Sequence, residues 1–372
     1  MKVALMTYHN ALNYGAALQV YATQQAIQGF GIECEVLDYV NEHRKNAYSM
    51  GHHVNESLRK KDLKSAIKYG AGSFFMNQRR IKFKDFYSKN LKCTKNLYTL
   101  KKELKGLNNN YSKFIIGSDQ VWNYVNNGQD FSYFLDFVND NNKKISYASS
   151  FGMTTIPEEF QESYKNSLQE IKHLSTRESY GVSLIKELTG RDAELVLDPV
   201  FLLDKARWKS LYKAKSNKEK YVFCYTNRMS QFENFTSQTG YSLEGKKVHK
   251  LTRHITIKDF LDSNVKVAYS ISPIRFIETI ANAELVVSAS FHCIAMSILL
   301  NVPFVAILTG NRGKDERILN ILRITGLEDR IFNDNMTIED VNAPIDYEMV
   351  EKKVQLHRKN SLDYLKNAIL SK

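Results

Sequence analysis

Residues 284–307, ELVVSASFHCIAMSILLNVPFVAI, decide the fold because they contain strand, turn, helix and strand in immediate succession. Residues 285–287 form a short apolar run that is typical of a strand buried on both faces. A helix is expected to begin near Phe291 and to end before Pro303, after which residues 304–307 return as a second buried strand. This pattern predicts an α/β fold built on parallel strands.

The polar residues of this stretch follow its first strand. His292 falls in the first turn of the predicted helix, and Ser288 and Ser290 are candidate N-caps. Open α/β sheets bind ligands at the carboxyl ends of their strands, and free backbone N–H groups there suit a phosphate or carboxylate. His292 is therefore a candidate functional residue. The alternative is that it only helps to cap the helix.

Composition indicates a soluble globular protein with two domains. The chain has 372 residues, of which 43% are hydrophobic and 25% are charged. No apolar run approaches the roughly 18 residues that a membrane-spanning helix needs. The four cysteines are widely scattered without a C-x-x-C pair, so neither a metal site nor a disulfide framework is predicted. We expect a cytoplasmic protein.

The net charge of +12 suits an anionic partner. Nucleic acid, an anionic membrane or phosphorylated small molecules would each fit, and charge that only aids solubility is a fourth explanation. No zinc-finger or RRM-type motif is present, so nucleic acid binding is not predicted.

The N-terminal segment predicts a βαβ unit. Residues 2–7 and 32–39 are expected as strands, with a helix over residues 16–28 between them. The first turn lacks the G-x-G-x-x-G pattern, which argues against a dinucleotide site. Within that turn, Asn13 and Gly15 either contact a ligand or simply shape the chain.

Residues 41–113 are predicted to form a helical insertion that is rich in lysine and arginine. Arg79 and Arg80 precede the aromatic residues Phe83, Phe86 and Tyr87. The interpretation that we favour is solvated helices with aromatic cores. The alternative is a basic surface that faces an anionic lipid carrier or a phosphorylated sugar.

A polar run follows the predicted strand at residues 114–116. It includes Ser118, Asp119 and Gln120, and such residues at the carboxyl end of a strand are typical of a site edge. Asp119 is a candidate base toward a sugar hydroxyl. The alternative is that Asp119 is the N-cap of the next helix.

Two further strand ends carry candidate residues. Ser149 and Ser150 follow the strand predicted at 144–148, and Arg177 follows the strand predicted at 171–175. An arginine in this position suits bidentate contact with phosphate or carboxylate. A surface pair between Arg177 and Glu178 is the alternative.

Asp198 and Pro199 mark the expected start of a second α/β domain. A basic loop at residues 309–317 offers Arg312 and Arg317 as candidate ligand contacts, with surface pairing to Asp315 or Glu316 as the alternative. His249 and His254 are isolated, and we expect them at the surface. Residues 347–370 predict a long terminal helix that crosses back to the first domain.

Several of these stretches together resemble the polysaccharide pyruvyl transferase family. The resemblance covers residues 1–335 and departs from the family pattern at Ala289, Cys293 and Arg275, where the family has Asn, Gly and an acid. The motifs that carry it occur in the family's order: Asn13-Tyr14-Gly15-Ala16, Gly117-Ser118-Asp119-Gln120, Ser149-Ser150-Phe151-Gly152, Thr176-Arg177-Glu178-Ser179, Asp198-Pro199, Ser290-Phe291-His292, and the run that begins at Arg317.

The resemblance implies an α/β fold with two Rossmann-like domains facing across a cleft, as in GT-B enzymes, and with a helical insertion in the first. The expected divisions are residues 1–198, 199–345 and 346–372. It also implies transfer of pyruvate from phosphoenolpyruvate to two hydroxyls of a sugar, which forms a cyclic ketal and releases phosphate. No nucleotide cofactor is implied, and dependence on a divalent metal stays open.

This reaction suggests roles for the candidate residues. The donor carries a phosphate and a carboxylate, so it needs cationic or N–H-rich subsites, and histidine is a natural acid near neutral pH. We assign the acid or phosphate contact to His292, the donor anion to Arg177 and an acceptor hydroxyl to Asp119. The other expected substrate contacts are Asn13, Gly15, Ser118, Gln120, Ser149, Ser150, Ser290, Arg312 and Arg317.

The acceptor would belong to a bacterial-type surface glycan and be free, nucleotide-linked or lipid-linked. The last case would bring the basic insertion to the inner face of the membrane. Two other functions stay open: a GT-B glycosyltransferase that uses a nucleotide sugar, and a non-catalytic module in glycan assembly.

Overall fold

The computed structural model describes residues 1–47, 58–59, 62–213, 219–226, 228–252 and 262–371. The side chains of residues 63–75, 312 and 314 lie outside the described part. The chain divides into two compact units, residues 1–202 with 359–372 and residues 203–358. The sequence-based boundary, between residues 198 and 199, falls close to this division.

The first unit is built on a parallel sheet. Its strands are β1 (Lys2–Met6), β2 (Glu33–Val36), β3 (Lys113–Ile116), β4 (Lys144–Ser146), β5 (Ser175–Thr176) and β6 (Glu194–Leu195). The main sheet has the order β2-β1-β3-β4, and isolated β-bridges join β4 and the turn after it to the β5–β6 pair. Because β2 and β3 flank β1 on opposite sides, the topological switch point lies between β1 and β3.

Helices cover this sheet. They are α1 (Tyr14–Gly29), α2 (Glu42–Ala47), α3 (Leu63–Asn90), α4 (Lys101–Leu104), α5 (Tyr124–Asn127), α6 (Glu158–Gln169) and α7 (Ser179–Thr189). Short 3₁₀ turns lie at Lys105–Leu107, Phe131–Phe134, Asn141–Lys143 and Pro199–Leu202.

Helix α1 is buried along most of its length because α3 covers its outer side. The rings of Tyr14 and Phe83 lie 5.1 Å apart, and those of Tyr21 and Phe86 lie 6.2 Å apart. Such aromatic pairs add to the free energy of area burial alone. The aromatic residues of the predicted insertion therefore form a core with α1. Residues 48–57, 60 and 61 of the insertion lie outside the described residues.

The second unit contains a five-stranded parallel sheet. Its strands are β7 (Tyr221–Tyr225), β8 (Lys247–Leu251), β9 (Val265–Ala268), β10 (Leu285–Ser288) and β11 (Phe304–Ala306). The order is β11-β10-β7-β8-β9, so the switch point lies between β7 and β10. The helices are α8 (Lys205–Lys209), α9 (Met229–Thr239), α10 (Pro273–Ala281), α11 (Phe291–Leu300), α12 (Arg312–Thr325) and α13 (Ile338–Asn342), with a 3₁₀ turn at Glu328–Arg330.

The last helix, α14 (Tyr347–Leu370), begins in the second unit and ends in the first. Leu365 and Ile369 are fully buried in the core of the first unit. At the end of the helix, the Ser371 hydroxyl lies 2.9 Å from His173 Nε2 and 3.3 Å from Lys113 Nζ. The final residues of the chain are thus an integral part of the first unit.

We expect His173 to make the protein less stable in acid. Burial lowers the pKa of His173, and the positive charges of Lys172, Lys113 and Arg191 lower it further. The unfolded chain therefore binds this proton more readily than the folded one, and stability is lost as the pH falls below about 6.5, the unperturbed histidine pKa. The urea midpoint of His173→Gln should fall less than that of the wild type between pH 8 and pH 5.5. An equal or larger fall in the variant would contradict this prediction.

Candidate functional site

The turn between β10 and α11 is organised by Ser288. Its hydroxyl donates to the Tyr225 carbonyl oxygen at 2.9 Å and accepts from the Ser290 N–H at 3.0 Å. Ser290 is the N-cap residue, but its side chain makes no capping hydrogen bond. The prediction that Ser290 is the N-cap residue is confirmed, although its hydroxyl does not contribute to the cap. Because Tyr225 ends β7, Ser288 links the two strands that flank the switch point.

His292 lies in the first turn of α11 at this switch point and is 9% exposed. Arg317, on α12, reaches the same place, since its Cζ atom lies 5.4 Å from the centroid of the neighbouring Phe291 ring. The structure thus brings the predicted residues Ser290, His292 and Arg317 to one strand end. The side chain of Arg312 lies outside the described residues.

The loop that precedes α12 is held by Asp315. This carboxylate is buried and accepts hydrogen bonds from the N–H of Thr309 at 3.0 Å and from its hydroxyl at 2.8 Å. Asp315 is therefore not a surface residue, whereas pairing of Arg312 or Arg317 with Glu316 stays a prediction.

Cys293 stands where the resemblance places glycine. Its side chain is fully buried, and burial raises the pKa of the thiol to about 12. The thiol stays protonated near neutral pH and behaves as a small apolar group. This departure from the family pattern therefore adds a side chain to the core of the second unit.

In the first unit, a close contact joins the strands at the switch point. The Thr7 hydroxyl donates to the Ser118 carbonyl oxygen at 2.6 Å. A Cβ atom at Gly117 would lie 3.0 Å from Cβ of Thr7 and 3.0 Å from Cδ1 of Leu5. A larger residue at this position would therefore require Leu5 and Thr7 to shift where the two strand ends approach each other.

Asp119, two residues after Gly117, adopts a backbone conformation that is unusual for a residue with a side chain. Its φ is 84°, and Ala148 at the end of β4 has a φ of 54°. Such strained residues tend to cluster at functional sites. The Asp119 carboxylate accepts from the Gln120 N–H at 2.8 Å. The alternative that Asp119 is the next N-cap is wrong, because Asn123 caps α5.

Most of the neighbouring polar candidates hold the strand ends together. Ser149 and Ser150 are buried, and their hydroxyls donate to the Gly117 carbonyl oxygen at 3.2 Å and to Glu178 Oε1 at 2.7 Å. Gln120 is half-buried and accepts from Asn126 Nδ2 at 2.8 Å. Of these three candidates, Gln120 is the most accessible to a ligand.

Asn13 shapes the start of α1. Its Oδ1 accepts from the N–H groups of Gly15 at 2.8 Å and Ala16 at 3.4 Å. This geometry supports the alternative in which Asn13 and Gly15 form the turn. A ligand contact by either residue stays a prediction.

Arg177 lies in a buried charge cluster with Asp198 and Glu178. Its Nη1 atom lies 2.5 Å from Asp198 Oδ2 and 2.8 Å from the Ser118 hydroxyl, and Nε lies 3.1 Å from Glu178 Oε1. Burial alone would lower the pKa of the guanidinium, but the two carboxylates raise it above its ordinary value. The surface pair proposed as an alternative is wrong, because both partners are buried.

The same cluster bears on the donor-anion role of Arg177. The guanidinium is 3% exposed and already bound to two carboxylates. Asp198 and Glu178 already neutralise the positive charge of Arg177, so little of it is left to attract an anionic substrate. The geometry therefore favours Arg177 as the residue that positions Ser118 and the strand ends.

Sequence reasoning missed His9, which follows β1. Its Nε2 lies 2.8 Å from Asp38 Oδ1, and its Nδ1 lies 3.2 Å from the Thr7 carbonyl oxygen. Both partners offer hydrogen-bond acceptors, so His9 joins the end of β1 to Asp38, which follows β2. The available signal was that His9 and Asp38 follow neighbouring parallel strands, whose carboxyl ends meet at one sheet edge.

Within the described ranges, no group of three or more His, Cys, Asp or Glu side chains is arranged to hold a metal ion. Over the same part of the chain, no helix combines the length and the apolar character needed to cross a bilayer.

These elements define an α/β protein of the GT-B type, with two units that each place polar residues at the switch point of a parallel sheet. The sequence matches the family model for polysaccharide pyruvyl transferase over residues 13–311. The chain therefore belongs to the polysaccharide pyruvyl transferase family, which confirms the resemblance drawn from its motifs. No curated protein matches the sequence.

Two bacterial structures show the same fold. One is a Listeria monocytogenes protein assigned as a UDP-N-acetylglucosamine 2-epimerase, with a TM-score of 0.56, 10% identity, and coverage of 100% of this chain and 97% of that one. The other is the UDP-GlcNAc 2-epimerase of Neisseria meningitidis bound to UDP-GlcNAc, with a TM-score of 0.51, 8% identity and full coverage of both chains. At this identity the likeness concerns the fold alone.

The strain at Asp119 predicts a difference between two substitutions. Both Asp119→Gly and Asp119→Ala remove the carboxylate, but only glycine adopts a φ of 84° without steric conflict. We expect Asp119→Gly to be more stable than Asp119→Ala by about 1 kcal/mol in urea unfolding. Equal stability of the two variants would show that the backbone here is not strained.

The Arg177 cluster predicts a large loss of stability in Arg177→Met. Without the guanidinium, Asp198 and Glu178 would be buried without their counter-charge, which costs roughly 3–5 kcal/mol. The matched control is Lys186→Met, which breaks the exposed 2.9 Å pair with Asp192 and should cost no more than about 1 kcal/mol. Chemical unfolding of both variants measures the difference. Similar losses would mean that charge does not hold the cluster together.

Proposed function

We propose that this protein transfers pyruvate from phosphoenolpyruvate to two hydroxyls of a sugar in a surface glycan or its precursor. The products are a cyclic ketal and phosphate. The observation that carries the proposal is His292 in the first turn of α11, at the switch point of the second unit and within the family match. Phosphoenolpyruvate as the donor, and a nucleotide-linked or lipid-linked acceptor, are parts of this proposal.

The chemistry begins with the double bond of phosphoenolpyruvate. An acid gives a proton to the methylene carbon, and the adjacent carbon becomes electrophilic. The oxygen of the first hydroxyl bonds to that carbon and loses its proton to a base. The oxygen of the second hydroxyl then bonds to the same carbon and loses its proton to a base or to the leaving phosphate, and phosphate departs with the electron pair of the broken C–O bond.

His292 suits the acid or the phosphate contact in this scheme. It is the second residue of α11, and the start of a helix favours a bound phosphate or carboxylate. Arg317 beside Phe291 adds a guanidinium at the same strand end, where a planar fork can bind either anion of the donor.

Asp119 is our candidate for the base toward an acceptor hydroxyl. It is partly exposed, and its strained backbone holds the carboxylate at the end of β3. Arg177 would then act as a positioning residue that fixes the neighbouring Ser118 at 2.8 Å.

One observation favours a second function. The Neisseria meningitidis structure of the same fold is bound to UDP-GlcNAc. A glycosyltransferase that uses a nucleotide sugar would bind uridine or guanosine diphosphate and would not bind phosphoenolpyruvate. A non-catalytic module in glycan assembly would bind neither. Calorimetric titration with these ligands therefore separates the three functions.

Replacing His292 by glutamine tests its role as the acid. Glutamine keeps hydrogen-bonding capacity but cannot give a proton, so we expect turnover to fall about 100-fold or more. The readout is phosphate release from phosphoenolpyruvate with a panel of nucleotide-linked and lipid-linked sugars. His173→Gln is the matched control and should keep wild-type turnover. Turnover of His292→Gln within a few-fold of wild type would exclude the acid role.

A further inference from the structure

Arg79 of α3 is a buried cation that has no partner carboxylate among the residues that the structure describes. It is 3% exposed, and no ion pair joins it to any residue that the structure describes. Its Nε and Nη2 atoms are buried without a hydrogen-bond partner among those residues. Buried polar atoms are nearly always hydrogen-bonded in proteins, so this exception calls for an explanation.

Aromatic contacts account for part of the arrangement. The Cζ atom of Arg79 lies 4.6 Å from the centroid of the Tyr14 ring and 5.4 Å from that of Phe83. Stacking on an aromatic face attracts a guanidinium and fixes its plane. Stacking on the rings leaves the Nε and Nη2 donors, at the edge of the guanidinium, without acceptors among the described residues.

The position of Arg79 adds to its positive charge. Tyr14 is the first residue of α1, a helix of 16 residues, and the first turn of α1 contains no acidic residue. The start of a helix carries partial positive charge. The buried guanidinium thus stacks on the first residue of α1, whose next two N–H groups are already bonded to Asn13 Oδ1, and no carboxylate among the described residues balances its charge.

This environment differs from that of Arg177 in the same unit. Arg177 is equally buried, but Asp198 and Glu178 balance its charge within the fold. An anion from outside would therefore gain more from Arg79 than from Arg177. Evidence for a ligand comes from the guanidinium, whose Nε and Nη2 atoms have no hydrogen-bond partner among the described residues, and the partial positive charge at the start of α1 adds to it.

We propose that Arg79 and the first turn of α1 form a binding subsite for a phosphate group. The inference rests on the proposed function, because it assigns the phosphate to one of that reaction's substrates. Either the phosphate of phosphoenolpyruvate or the diphosphate of a carrier-linked acceptor has the required chemistry. The flat guanidinium, held against Tyr14, suits two parallel N–H to oxygen bonds with such a group.

The test measures the binding of phosphoenolpyruvate and of inorganic pyrophosphate by calorimetry to wild type, Arg79→Met and Arg80→Met. Methionine retains an unbranched apolar side chain in place of the aliphatic stem but removes the charged fork. We expect Arg79→Met to weaken the ligand that occupies the subsite about ten- to hundredfold. Arg80 is exposed and one residue away, so Arg80→Met removes the same net charge and should change affinity less than about threefold.

Thermal unfolding adds a readout that distinguishes binding from packing. If Arg79 binds a ligand, ligand-free Arg79→Met should be at least as stable as wild type, because an uncompensated buried charge is gone. The ligand should also no longer raise the melting temperature of the variant. If Arg79 only packs against the rings, Arg79→Met should have a lower melting temperature than wild type and the same affinity for the ligand. If Arg79→Met does not fold, Arg79→Lys serves in its place, since lysine keeps the charge but not the fork.

The two ligands separate this inference from the proposed function. A loss confined to phosphoenolpyruvate assigns the donor phosphate, and a loss confined to pyrophosphate assigns the acceptor diphosphate. Binding of pyrophosphate that depends on Arg79, with no binding of phosphoenolpyruvate, would support the subsite and contradict the donor. Equal binding of both ligands by wild type and Arg79→Met would overturn the subsite and leave the donor standing. No binding of either ligand to wild type would overturn both.

Discussion

The first unit depends on the charge of one buried arginine. Arg177 follows β5, yet its guanidinium bonds to Ser118 after β3 and to Asp198 after β6. Glu178 extends the same cluster to Ser150, which follows β4. Four strand ends are therefore held by one set of charge-assisted hydrogen bonds. Such a cluster is stable only as a whole, since removing one member leaves the others charged and out of water.

The two units reach a similar arrangement through different strand orders. The first reverses its order between β1 and β3, and the second between β7 and β10. In each unit a hydroxyl joins the two strands at the reversal, Thr7 to Ser118 in one and Ser288 to Tyr225 in the other. Short polar side chains at these ends satisfy backbone carbonyls that no further strand residue would meet. The candidate residues Asp119 and His292 follow directly after these contacts.

The sequence was most informative where a whole element is buried. The predicted strand at 285–287 lies within β10, because a run of apolar residues suits a strand in the middle of a parallel sheet. Strand β9 lies at the sheet edge and was not predicted, because its half-exposed sequence Val-Lys-Val-Ala contains no run of apolar residues. The motifs follow strands at the switch point of each sheet, because parallel strands bring their carboxyl ends to one edge.

Side-chain roles were harder to predict, because they depend on partners far away in the chain. His249 was expected at the surface, yet it is buried, stacks on Tyr221 at 3.8 Å and pairs with Glu219. Arg177 next to Glu178 looks like a local pair until Asp198, 21 residues later, completes the cluster. The role of His9 depends on its contact with Asp38, and the role of Arg79 depends on its contact with Tyr14. Spacing along the sequence carries no signal for such contacts.

The course of α14 has a consequence for synthesis of the protein. Leu365, Ala368 and Ile369 belong to the core around β1 and α1, although more than 300 residues separate them from those elements. A ribosome makes the sheet of the first unit well before the helix that completes its core. The second unit, which needs no residue beyond 358, can therefore finish folding before the first one does. Until α14 has been translated, the apolar residues of the first unit that pack against this helix stay exposed to solvent.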